Sequence, residues 1–587
     1  MFKLFKNFTK REWTLIFAAI VFIVVQVWLD LTLPDYMSQI TTLVQTPGSE
    51  MIEILQAGGK MLLCALGSLA SSVIVAVMTA KVAANFAANL REKLYDKVQS
   101  FSLEEIGRFS TASLITRSTN DVQQVQMFIT MGLQVIIKAP IMAIWAITKI
   151  AGKSYQWSLA TGIAVVVLIV IIAICLIFAY PKFQKLQTLT DNLNRVTREN
   201  LTGLNVVRAY NGEAYQEEKF EQANQELTKT TLFANRVMAI LTPGIQGIMS
   251  GLSLAIYWIG AIIINNAQMG EKLGLFSDMV VFSSYATQVV MAFMMMTIIF
   301  IMLPRASVSA KRINQVLDTK KSIIDGKYDE DVNQVKGEIE FNNVSFRYPG
   351  AKEYVLKDIS FKAHHGETVA IIGSTGSGKS TLINLVNRFY DVSEGEVLID
   401  GVNIKKYKLH AIHDMIGYIS QKAILFSGTI KSNVAFGDNG KQKVLDSDVV
   451  DAIYTAQAAD FVENLPDGYD NYVAQSGSNY SGGQKQRISI ARAISRRPEI
   501  LIFDDSFSAL DYKTDRKLRQ ALNDYCQDTT RLIVAQRIGT IRDADKIIVL
   551  DDGKMAGIGS HDELMKNCKV YQQIAYSQLS KEELANA

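Results

Sequence analysis

Six apolar stretches break up the first half of the chain, at approximately 13–34, 59–80, 130–150, 157–180, 240–265 and 278–303. Each is long enough for a helix to cross a bilayer core, which takes about 20 residues. The polar stretches between them are unequal. Long ones follow the second and fourth spans and are rich in Lys and Arg. They keep helical periodicity, as in Ala84–Gln99 and Gln184–Asn200. This pattern predicts helices that continue well past the bilayer and turn back near Phe109–Asn120 and Val206–Glu213. After about residue 305 the pattern changes. Gly337–Tyr348, Tyr354–Ala363 and Thr368–Ile372 read as strands, and helical segments alternate with further short apolar runs. The expected architecture is multi-domain. An all-α six-helix transmembrane domain with long intracellular helical extensions (1–320) leads through a linker (321–336) to an α/β domain (337–587).

Charge sets the expected orientation. Lys3, Lys6, Lys10 and Arg11 precede the first span, which places that end in the cytoplasm. The even number of spans puts both termini and the α/β domain there too, in a multi-pass protein of the cell membrane. Lys149 and Lys153 run against this pattern, because they fall in the short outer connection between spans three and four. Asp30, near the outer end of the first span, is expected to snorkel to the interface rather than to touch a ligand. Met291, Met294, Met295, Met296 and Met302, with Phe293 and Phe300, crowd the sixth span. They read first as packing residues and second as an adaptable wall for apolar ligands.

Composition excludes some classes. The 587 residues carry a net charge of +3 with no basic cluster, so no nucleic-acid partner is expected. Cys64, Cys175, Cys526 and Cys568 have no CxxC spacing and read as free thiols without a metal site.

The chemistry lies in the second half. The buried run Thr368–Ile372 leads into Gly373-Ser374-Thr375-Gly376-Ser377-Gly378-Lys379-Ser380, then Thr381 and an amphipathic helix. This is G-x-x-x-x-G-K-[ST] between a strand and a helix. Glycines there let backbone N–H groups curl around phosphate oxygens. Lys379 can reach the β- and γ-phosphates, and Ser380 can ligate Mg²⁺. Ile500–Phe503 is a second buried run ending in Asp504 and Asp505, and Asp504 suits the aspartate that organises Mg²⁺ in P-loop nucleotidases.

Between the two lies Tyr480-Ser481-Gly482-Gly483-Gln484, followed by Lys485-Gln486-Arg487. Here the chain resembles the ATP-binding cassette (ABC) transporters, over nearly its whole length. In such a half-transporter ATP sits between one chain's P-loop and the SGGQ sequence of a second chain. The resemblance implies that Tyr348 stacks on adenine, that Gln421 contacts Mg²⁺, and that Ser508–Asp511 forms the loop ending in Asp511. The implied cofactors are ATP and Mg²⁺.

Two positions depart from the family. Asp505 stands where a Glu usually orients the attacking water, and Gln536 stands where a His usually contacts the γ-phosphate. The loop Val473–Gly477 also lacks the family's usual acidic residue. Together with an intact P-loop and SGGQ, this resembles the degenerate-site subunit of a heterodimeric bacterial multidrug ABC exporter. Such a subunit binds ATP and hydrolyses it slowly at its own site. Its partners would be a second half-transporter with Glu and His at the matching positions and the lipid bilayer, and its cargo a hydrophobic, amphipathic, drug-like small molecule moved out of the cytoplasm. Two readings compete with this one: a homodimeric exporter of lipid or peptide, and an ATP-binding membrane sensor that transports nothing.

Overall fold

A computed structural model describes residues 2–46, 48–268, 270–329, 336–437 and 443–578. The side chains of Phe2, Tyr180, Gln184, Gln187, Phe300, Ile301 and Pro304 lie outside that description, which removes Phe300 from the sixth-span reading. Residues 330–335 of the expected linker are likewise outside it. The chain divides into two compact units. One is Met1–Gln99 with Ala112–Thr319, and the other is Ser100–Thr111 with Lys320–Ala587.

The first unit is helical. Six long helices carry the six apolar stretches: α1 (Lys10–Gln45), α2 (Met51–Gln99), a segment beginning at Thr111, Tyr155–Thr202, Glu213–Asn266 and a helix beginning at Lys272. At about 1.5 Å per residue, the 49 residues of α2 extend roughly 73 Å, more than twice a bilayer core. Apolar residues from every one of these helices close a common core. It includes Ile23, Val27 and Leu31, Val75, Met142 and Ala146, Trp157 and Leu168, Leu252 and Ile256, and Phe282 and Ala286.

The first chain reversal differs from the expectation. The helix α2 stops at Gln99, and the turn is made by residues 100–110 rather than within Phe109–Asn120. The sequence Ser102-Leu103-Glu104-Glu105 explains the shift. Ser102 and Glu105 form a capping box that starts the short helix α3 (Leu103–Phe109), and Ser110 at φ 59° ends it. The following helix, α4, starts at Thr111, passes through a π-helical stretch at Arg117–Asp121 and continues to Ile150. The second reversal lies within 203–212, between α5 (Tyr155–Thr202) and α6 (Glu213–Asn266), and overlaps the expected place. The last helix of the unit is α7 (Lys272–Leu317).

The basic residues of the short outer connection are neutralised by neighbouring helices. Lys149 pairs with Asp35 of α1 at 2.6 Å, and Lys153 with Asp278 of α7 at 2.7 Å. The Asp30 carboxylate meets Lys138 of α4 at 3.3 Å and accepts a hydrogen bond from Ser68 of α2.

The second unit is α/β. Its strands are β1 (Ile339–Phe346), β2 (Leu356–Ala363), β3 (Thr368–Gly373), β4 (Glu394–Ile399), β5 (Val402–Asn403), β6 (Ile416–Ile419), β7 (Ile500–Asp504), β8 (Thr530–Val534), β9 (Lys546–Asp551) and β10 (Lys554–Gly559). One sheet has the order β2-β1-β4-β5, a second β10-β9-β3-β8-β7-β6, and the short strands Gly428–Thr429 and Tyr472–Val473 pair in a separate two-stranded ribbon. The second sheet is parallel except at its β10 edge. Its central strands are apolar on both faces because each face meets a separate core. Ala370, Leu501, Phe503 and Ile533 point into one core, and Ile371, Ile502 and Leu532 into the other.

Candidate nucleotide site

Strand order builds this site. In the parallel sheet β8 lies between β3 and β7, with Val534 level with Ile371 on one side and Asp504 on the other. The loop after β3, the acids ending β7 and the residues after β8 therefore emerge side by side at the carboxyl ends of the strands. Ligands of open α/β sheets bind there. A cavity of about 250 Å³ opens at this point. Thr375, Gly376, Gly378, Lys379, Ser380, Thr381, Gln421, Asp504, Asp505 and Gln536 line it, with Val355 and Val534.

The loop leading to helix α8 (Lys379–Val386) depends on glycine at two points. Gly376 and Gly378 hold φ of 87° and 97°. A Cβ on Gly378 would come within 2.7 Å of Leu356 Cδ2 and 3.1 Å of the Val355 carbonyl. The Ser377 hydroxyl is sealed from solvent and has no hydrogen-bond partner among the described residues. Lys379 Nζ donates to the carbonyls of Gly373 (2.9 Å) and Ser374 (2.7 Å). Burial holds its ammonium below the ordinary lysine range, against the pull of Asp505 and Asp504. An ammonium, an unpartnered hydroxyl and helix-start N–H groups are a donor set that fits phosphate oxygens.

Ser380 Oγ donates to Asp504 Oδ1 at 2.9 Å, and Tyr418 OH to Asp504 Oδ2 at 3.5 Å. Burial pushes the Asp504 carboxyl above the usual aspartate range. A hydroxyl and a carboxylate in contact form an oxygen pair suited to Mg²⁺. Asp505 sits at φ 48°, a conformation that short polar residues tolerate, and its N–H donates to the Val534 carbonyl at 2.9 Å. Its Oδ2 receives two amides, Gln536 Nε2 at 3.0 Å and Gln421 Nε2 at 3.4 Å. Burial also raises the Asp505 carboxyl above its ordinary range.

Other residues singled out in the sequence lie elsewhere. Tyr348 stands at the rim, its hydroxyl 2.9 Å from Thr381 Oγ1 and its ring edge-on to Tyr390. It lines a separate cavity of about 460 Å³ with Glu104, Ser322 and Tyr390. Ser481, Gly482, Gly483 and Gln484 do not line the P-loop cavity. They form the first turn of helix α9 (Gly482–Ser495), where Ser481 and Gln484 cap each other's backbone N–H groups and Ser481 and Gly482 are exposed. Asp511 is also outside the cavity. Its carboxylate caps helix α10 (Tyr512–Tyr525) through the Thr514 N–H at 3.0 Å. Tyr418 and Val355 were missed by the sequence reading. Tyr418 is three residues before Gln421, but nothing local marks it as facing Asp504.

Comparison with known proteins agrees with this arrangement. Residues 16–321 match the family described as ABC transporter transmembrane region, and residues 356–508 match that described as ABC transporter. The chain belongs to the ABC transporter family. It is 39% identical to an uncharacterised ABC transporter ATP-binding protein of Mycobacterium tuberculosis, over 83% of each chain. It is 32% identical to the ATP-dependent lipid A-core flippase of Pseudomonas fluorescens, over 82% of this chain and 79% of that one. A bacterial Atm1-family ABC exporter with ATP bound superposes with a TM-score of 0.79 at 23% identity, covering 97% of this chain and 98% of the other. The fold is that of an ABC exporter half-transporter: six apolar helices followed by an α/β nucleotide-binding domain. The matched family implies a transport-coupled ATPase in a multi-pass membrane protein.

Proposed function

We propose that this chain is the slow-site subunit of a heterodimeric ATP-driven exporter of amphipathic compounds. Residues 1–320 form its transmembrane domain, 321–336 a linker and 337–587 its nucleotide-binding domain. The reading is supported most by the state of Asp505, whose Oδ2 is occupied by the amides of Gln536 and Gln421. A general base needs a free lone pair directed at water. Here one oxygen is committed to two donors, and the aspartate is one methylene shorter than the glutamate usual at this place.

The rest of the site keeps the means to bind. Lys379, Ser377 and the N–H groups of the loop through Ser380 and Thr381 would hold the phosphates of ATP. Ser380, Asp504 and Gln421 would hold Mg²⁺, which supplies charge neutralisation to the phosphates when bound. Tyr348 would stack on the base. The exposed Ser481–Gln484 turn and Asp511 would face the partner's nucleotide. That partner, a second half-transporter, supplies Glu and His at its own site, so that hydrolysis there resets the pair while ATP in the slow site holds it together. The Pseudomonas relative is a lipid A-core flippase, which supports an amphipathic cargo.

The test is ATP turnover of the purified chain, alone and co-expressed with a neighbouring half-transporter. The expected result is near-inactivity alone and activity with the partner. Full-rate turnover by the lone wild-type chain would instead make it a homodimeric exporter.

A further inference from the structure

Four helices of the transmembrane unit bring polar side chains to one point. Lys138 Nζ of α4 lies 3.3 Å from Asp30 Oδ2 of α1. Ser68 of α2 donates to Asp30 Oδ1, and Gln288 Nε2 of α7 donates to the Asp30 carbonyl at 3.3 Å. Neither charge is sealed, since the side chains of Lys138 and Asp30 are 19% and 23% exposed. Asp30 is the one hydrogen-bond partner of Lys138 among the described residues, so two ammonium donors are open. Gln288 Oε1 is buried without a partner among the described residues. Five residues further along α1, about 7.5 Å, and eleven further along α4, about 16 Å, Asp35 pairs with Lys149 at 2.6 Å, and its other oxygen accepts from the Tyr285 hydroxyl. The same two helices thus carry two Asp–Lys rungs, each net neutral, one of them in the middle of the apolar stretch of α4.

An ion pair in an apolar medium resists ligands of a single charge. Such a ligand takes one partner and strands the other, and an uncompensated buried charge is strongly unfavourable. A ligand that carries both charges exchanges with the pair and leaves every charge matched. We propose that the two rungs are a track for the headgroup of a zwitterionic amphiphile. Its anionic group is held by Lys138 and its cationic group by Asp30, and the headgroup then passes to Lys149 and Asp35. Gln288 Oε1 accepts an N–H or O–H of the same headgroup. This assignment rests on the reading of the chain as a subunit of an exporter of amphipathic compounds, and it narrows the cargo class.

The experiment uses the assembled exporter in liposomes of fixed composition. Three fluorescent lipids with identical acyl chains serve as probes: a zwitterionic phosphatidylethanolamine, an anionic phosphatidylglycerol and a cationic trimethylammonium lipid. Binding is read by anisotropy without nucleotide, and translocation by quencher protection with ATP. The zwitterionic probe is expected to bind about tenfold more tightly than either singly charged one. The double variant Asp30→Asn, Lys138→Gln is expected to lose that preference. The swap Asp30→Lys, Lys138→Asp, which keeps a pair in place, is expected to retain most of it. Equal binding of the three probes by the wild type overturns the proposal, and needs no variant to fold. An undiminished preference in the double variant overturns it too. Selective binding without translocation would support the headgroup assignment and count against the exporter reading. Translocation without headgroup preference would do the reverse.

Discussion

Gln536 Nε2 donates a 3.0 Å hydrogen bond to Oδ2 of Asp505. On the proposed slow-site reading, the residue standing for the γ-phosphate histidine is therefore tied to the residue standing for the base, and substitutions at the two positions are expected to be coupled. Asp505→Glu alone lengthens the side chain but leaves both amide donors in place. Gln536→His alone removes the nearer of the two amides, keeps that of Gln421, and leaves the carboxylate short. The double variant is expected to raise turnover at this chain's own site about 10²-fold. A double-mutant cycle on ATP turnover should give a coupling of about 1 kcal/mol or more, and strict additivity would dissociate the two residues.

Lys379 rests on its own loop's carbonyls, and Ser380 on Asp504. Lys379→Ala removes the one ammonium lining the cavity among the described residues. ATP affinity is expected to fall at least about tenfold, because a charge-assisted contact to phosphate is worth roughly 1.5–3 kcal/mol. Ser380→Ala is expected to weaken Mg²⁺-dependent binding more than Mg²⁺-free binding. Titration with a fluorescent nucleotide, with and without Mg²⁺, separates the two effects.

Arg388 anchors the segment that precedes the sheets. Its guanidinium is 2% exposed and donates to Asp391 Oδ1, the Tyr407 carbonyl and the Ile324 carbonyl. A lysine cannot span three acceptors in a plane. Arg388→Lys is expected to cost about 2 kcal/mol and to speed tryptic cleavage at Lys320, Lys321 and Lys327. Gly326→Ala should act the same way, since a Cβ there would meet the Lys406 carbonyl at 2.0 Å.

Cys526 titrates late. Burial pushes its thiol up from the ordinary value to about 11. Below about pH 9 the thiol is protonated in both the folded and the unfolded chain, and its contribution to stability is complete. Between about pH 9 and 11 the unfolded chain ionises first, so that contribution is lost as pH rises. Urea unfolding of wild type and Cys526→Ala should show the wild type losing up to about 2 kcal/mol relative to the variant across that window. A constant difference would show that Cys526 has the same pKa in both states.

The sequence by itself determined the elements and the order of the loops. Apolar runs of membrane-spanning length, unbroken helical periodicity beyond them and the two-faced apolar strands are local properties, legible from neighbours along the chain. The glycines of the loop after β3 are legible for the same reason, since Gly376 and Gly378 hold dihedrals that few other residues adopt. The first chain reversal begins earlier than the periodicity predicts, and its signal is local, the capping box Ser102–Glu105. Tertiary structure decided the pairings. Asp30 and Lys138 are 108 residues apart, and Asp505 and Gln536 are 31 apart. A charge in an apolar span shows in the sequence that some compensation must exist, but which residue supplies it depends on which helices become neighbours. The contact of Gln536 with Asp505 depends on β8 lying beside β7, an order set by how two hydrophobic cores fill the two faces of the sheet.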